Sequence, residues 1–157
     1  MSRKRPGFIY VARVLMCSRY EAIDGTWRPI GSFWGWKIGH AIDIPRRVVG
    51  LVGECRDVEL LAFGVGSRDS ETLAHRELRP SVAPVGPLGM SVPGKCREWY
   101  VDTSHVREWV ARFNAAWRGS IRIQAREVNN DRDAQRTAYV AVRRAWATAV
   151  HVAEDVL

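Results

Sequence analysis

The chain has 157 residues, 46% of them hydrophobic and 26% charged, with a formal net charge of +7 at pH 7 carried almost wholly by arginine. That balance excludes a disordered polymer, is sufficient for one core without staples, and favours a polyanionic partner, nucleic acid first. Cys17, Cys55 and Cys96 form no CxxC pair, and no window nears the roughly 18 apolar residues of a membrane span; with no signal-like apolar start, a reducing, cytoplasmic setting away from membranes is expected.

Residues 7 to 16, GFIYVARVLM, read as a strand. Residues 17 to 32 carry Asp24-Gly25, Pro29 and Gly31 and read as a long loop or an inserted hairpin. SFWGWKIG is a second strand, after which Asp43 offers an N-cap and Pro45 a first turn for a short helix to about Val52. DVELLAFGV is a third strand. RDSETLAHRELR predicts a helix capped by Asp69 or Ser70, with Glu71 in its first turn and Pro80 at its end. Residues 80 to 95 hold four prolines and three glycines and read as an irregular loop. CREWYVD is a short strand or extended segment. TSHVREWVARFNAAW is an amphipathic helix with Val106, Trp109, Val110 and Phe113 on one face. A last helix over 131 to 155 carries a Tyr139, Val142, Trp146, Ala149, Ala153 stripe, with Arg136, Arg143 and Arg144 opposite.

FIY ending at Tyr10, KIG at 37 to 39, Arg47 eight positions after Gly39, Glu71 with His75 one turn on, and Glu98-Trp99-Tyr100 follow one another in this order. Each motif is short and common; the set, in order and on the expected elements, is far more specific. Together they resemble the GIY-YIG nuclease superfamily, and most closely its phage-type branch, in which KIG stands for YIG. The resemblance covers residues 7 to 112. It implies an α+β nuclease domain with a small three-stranded antiparallel sheet flanked by helices, and leaves 113 to 157 as a helical C-terminal extension. It also implies a phage or mobile-element origin, and so a host cytoplasm.

The resemblance assigns a metal-dependent endonuclease activity on DNA phosphodiester bonds. Glu71 would hold one hard divalent cation, Mg²⁺ or another such as Mn²⁺, since one carboxylate with waters and substrate phosphate is an ordinary Mg²⁺ site. Arg47 would fork onto the scissile phosphate. Tyr10 would orient or deprotonate water, which a phenol does near neutrality only beside positive charge. Strand alternation puts Phe8, Tyr10 and Ala12 on one face, and pairing of the first two strands would set Lys37 about 5 Å from Tyr10. His75 reads equally as support for metal or phosphate and as a surface histidine. His40, Arg46, Lys95 and Arg97 are the substrate-binding candidates.

Two departures from the family pattern stand out. Tyr10 and Lys37 are 27 positions apart, so the intervening residues must make an excursion that could cover the site or present Arg19 and Arg28 to DNA. Lys37 in place of the second tyrosine removes a proton donor. Two other classes therefore stay open: a module that holds nucleic acid without cutting it, and a phage structural or interaction protein that associates with itself or a partner through the C-terminal helix. Each residue alone also has a plain role, Glu71 as a helix-start acid and Lys37 as an edge-strand guard.

Overall fold

A computed structural model describes residues 7–54, 57–83, 98–124 and 132–154. Strands β1 (Phe8–Glu21) and β2 (Trp27–Ala41) form one long antiparallel hairpin, turning at Gly25 with φ 77°. The excursion after residue 16 is thus a continuation of both strands. Its tip lies eleven residues along β1 from Tyr10, on the order of 35 Å at strand rise, so it points away from the site. The Arg19 and Arg28 side chains lie outside the described part.

After the hairpin come α1 (Ile44–Glu54), β3 (Asp57–Val65), α2 (Arg68–Leu78) with a 3-10 turn at Arg79–Ser81, β4 (Trp99–Val101), α3 (Ser104–Arg112), β5 (Trp117–Gln124) and α4 (Arg132–Glu154). Among the described residues the sheet has five strands in the order β4-β2-β1-β3-β5, every pairing antiparallel. This corrects the expected three-stranded sheet while keeping the α+β class. The two added strands are the edges. β4 is only three residues long, too short to separate from an extended segment. β5 lies in the segment 113 to 157 that was expected to be a helical C-terminal extension. Its Ile121 and Ile123 pack on the core while Arg118, Ser120 and Arg122 are exposed, an alternation that a sheet edge supports.

Two cores lie on the two faces of the sheet. Phe8, Tyr10, Ala12 and Val14 of β1 pack with Ile44, Val48 and Leu51 of α1 and Val142 of α4. Ile9, Val11, Trp36 and Ile38 pack with Ala74 and Leu78 of α2 and with Val106 of α3. Of the expected α4 stripe, Val142 and Trp146 pack on the first core together with Ala138, while Tyr139 is half-buried. The side chains of Ala149 and Ala153 lie outside the described part, and Arg136, Arg143 and Arg144 are exposed. Among the described residues, no helix is long and apolar enough to cross a membrane.

Local chemistry explains the two helices that carry the site. Asp43 accepts from the Arg46 N–H at 3.0 Å, and Pro45 follows in the first turn, so α1 starts where sequence placed it. For α2 the cap is Ser67, rather than the expected Asp69 or Ser70, in a reciprocal capping box with Ser70. Asp69 and Glu71 lie in its first turn, where the helix dipole favours acids.

Candidate active site

In the β1–β2 ladder Tyr10 faces Gly39, and Lys37 faces Ala12. Tyr10 and Lys37 are therefore diagonal rather than opposite, which corrects the expected side-by-side placement; the two share a face. The Tyr10 ring lies over Gly39, where an added Cβ would come within 2.5 Å of the hydroxyl. Any larger residue there would displace the phenol. Arg47, from α1 on the same face, donates from Nε to the Tyr10 hydroxyl at 3.2 Å.

Glu71 belongs to α2, which packs on the opposite face. It reaches the His40 backbone of β2, and both it and Arg47 act on the Lys37 charge from nearby. Among the described residues β4 pairs with residues 35–37 of β2. Beyond them the Glu71 carboxylate accepts the His40 N–H at 3.0 Å. The Glu71 side chain keeps 19% of its surface, so the carboxylate is not walled into the interior. His75, one turn on, places Nε2 3.5 Å from the same oxygen, and its Nδ1 contacts the Tyr100 hydroxyl. Burial first, and then the Glu98 and Glu71 carboxylates, push the Tyr100 phenol well above its ordinary range, so it stays protonated.

The group that sequence reading passed over as a site residue is Glu98. It occurs in the Glu98-Trp99-Tyr100 motif, whose two aromatic residues are buried. Its carboxylate pairs with the Lys37 ammonium, which is 1% exposed and stands 4.9 Å from the Trp99 ring centroid. Burial lowers the Lys37 pKa from its ordinary value, with Glu98 working against that shift. Burial raises the Glu98 pKa, but the adjoining Lys37 charge outweighs it and the net direction is down. The contact gives the Lys37 Nζ a carboxylate partner, which explains how a lysine can sit inside the sheet.

Glu71, His75 and Glu98 bring one donor atom each within 4.8 Å of one another. The His75 Nε2 is buried and has no hydrogen-bond partner among the described residues, as suits an imidazole nitrogen that awaits a ligand. An Nδ1–H directed at the Tyr100 oxygen would leave the Nε2 lone pair free for an ion, the usual arrangement behind a ligating histidine. Two carboxylates and one imidazole fit a divalent cation: Mg²⁺ through the oxygens, or Mn²⁺ through all three groups.

His40, Arg46 and Arg47 line one open pocket with Ile42, Asp43 and Gly50 between the end of β2 and the start of α1. Arg46 is exposed there, whereas Arg47 is half-buried. The structure thus gathers seven of the nine sequence candidates: Tyr10, Lys37, Arg47, Glu71 and His75 around the β2 edge, and His40 and Arg46 in the adjoining pocket. Lys95 and Arg97 lie outside the described residues. No protein-family model, curated protein or solved structure matches the chain.

Proposed function

We propose that the protein is a metal-dependent endonuclease of GIY-YIG type, hydrolysing DNA phosphodiester bonds at the β2 edge. One observation carries this reading: a carboxylate–imidazole–carboxylate cluster is joined through Glu98 to Lys37 of β2, and at the end of that strand Arg47 bonds the Tyr10 hydroxyl and lines a pocket with Arg46. Glu71 and Glu98, with His75, would hold the cation, which when bound supplies charge to offset that building on the phosphate oxygens.

The chain's own groups have distinct tasks. Arg47 and Arg46 draw the phosphate into the pocket, and Arg47 is already aligned by its bond to Tyr10. Tyr10 orients the attacking water through the hydroxyl that Arg47 holds at 3.2 Å. Lys37 adds a cation beneath the site while keeping Glu98 aimed at the cluster. The net charge of +7 supports a polyanionic substrate. The test is plasmid nicking with Mg²⁺ or Mn²⁺, wild type against Glu71→Ala; Glu71-dependent nicks are expected. DNA binding without a Glu71-dependent product would favour a binding module, the second reading, which draws on Tyr10 being only 1% exposed.

A further inference from the structure

On β1, Arg13 lies opposite Trp36 of β2 on one side and Glu59 of β3 on the other, and Glu59 faces Arg122 of β5. This row crosses four strands on the face of the second core, at that core's outer limit. Trp36 belongs to the core, whereas Trp34, two residues along β2 and so on the same face, belongs to neither core. The Arg13 guanidinium stands 5.3 Å from the Trp34 ring centroid and 5.8 Å from that of Trp36. Arg122, exposed on the opposite edge of the sheet, reaches back to 5.1 Å from Trp34. The Trp36 ring is held in place because its Nε1–H donates to Asp102 at 2.9 Å.

Two guanidinium planes and two indoles are thus grouped on one face. The negative group between the arginines, Glu59, is engaged by the Ser120 hydroxyl at 2.7 Å. Such a surface suits a chain that offers both a planar base and a phosphate. Indole faces stack any base irrespective of sequence, and arginines beside them track the backbone. Trp36 is buried, and Trp34 is partly exposed. A duplex hides its base faces, so only an unpaired strand can use the Trp34 ring. The surface also adjoins the candidate active site: Trp36 is the ladder partner of Tyr100, whose hydroxyl contacts His75.

We infer that Trp34, with Arg13 and Arg122, forms a platform for single-stranded nucleic acid, a base on the indole and phosphates on the two guanidiniums. It extends the nucleic-acid part of the proposed function but does not depend on cleavage, so it is tested in EDTA, where nicking is absent. Fluorescence anisotropy would follow labelled oligo-dT, oligo-U and a hairpin duplex, the first two separating DNA from RNA. Wild type should bind an unpaired oligonucleotide. Trp34→Ala and Arg122→Gln should each weaken that binding about tenfold, and Trp34→Phe should keep most of it. Duplex affinity should move less than about threefold for Trp34→Ala. Failure of wild type to bind either single strand overturns the platform, as does unchanged binding in both variants or an equal loss on duplex. Should Trp34→Ala fail to fold by circular dichroism, the exposed Arg122 decides the matter. Glu71-dependent nicking is read separately, so the two proposals fail independently.

Discussion

The Glu71 carboxylate accepts the His40 backbone N–H at 3.0 Å, so a helix side chain bonds a strand backbone while grouped with His75 and Glu98. These two duties can be separated by substitution. Glu71→Gln keeps a carbonyl acceptor for His40 but removes the charge a cation needs. It should cut nicking by about 100-fold or more with little change in melting temperature. Glu71→Ala should lose activity equally and also about 1 kcal/mol of stability, because the edge N–H loses its partner. Activity assays and thermal melts on both variants check this; a Gln variant with full activity would remove Glu71 from the metal site.

Arg46 and Arg47 are adjacent, but the fold gives them different surroundings. Arg47 donates to Tyr10 and is half-buried, whereas Arg46 is exposed at the pocket rim. Arg47→Ala should therefore lower kcat by about 100-fold, the scale of losing one positioned donor, with Arg46→Ala mainly raising KM a few-fold. Equal losses in kcat would point to a diffuse basic patch instead.

The Lys37–Glu98 pair predicts a coupling. Glu98→Gln strands an ammonium that is 1% exposed, and should destabilise by about 2 kcal/mol, less than for a fully buried pair because the Glu98 side chain is 46% exposed. Lys37→Met should cost less alone, since a half-exposed carboxylate regains water. Combining the two changes should recover more than half of the loss seen for Glu98→Gln. Urea unfolding of the two single variants and the double variant gives the coupling energy, and strict additivity would rule the pair out as the reason for a buried lysine.

Much of the site could be read before the fold, because its groups lie in elements with clear local signals. Alternation in FIYVA placed Tyr10 on one face, and Asp43 with Pro45 set the start of α1 and hence the direction of Arg47. What sequence could not supply was register. Tyr10 opposes Gly39, a result of how two long strands align over the whole hairpin, and that alignment moves Lys37 to a diagonal position. Glu98 was missed because its importance comes from an ion pair 61 residues away, which no local pattern encodes. β5 was missed for another reason. Its alternation, visible in RGSIRIQ, falls just after an amphipathic helix, and two isoleucines are a weak signal until β3 is present to pair with them.

The acid limb of stability provides the last prediction. The Asp102 pKa lies below its ordinary value of 3.8, first because Trp36 donates to it, with burial opposing and Arg107 at 3.1 Å adding to the shift. A carboxylate with a depressed folded-state pKa stabilises the fold fully above the unfolded value. As pH falls below about 4 the unfolded chain binds the proton more readily, and the contribution is lost through the folded-state pKa. Asp102→Asn keeps a carbonyl for the Trp36 Nε1–H but has nothing to titrate. Its melting temperature should lie below that of wild type at pH 5 and converge on it toward pH 2. Melts by circular dichroism across that range measure the gap, and a gap that stays constant with pH would show that the Asp102 charge does not hold Trp36 and the end of β2 in place.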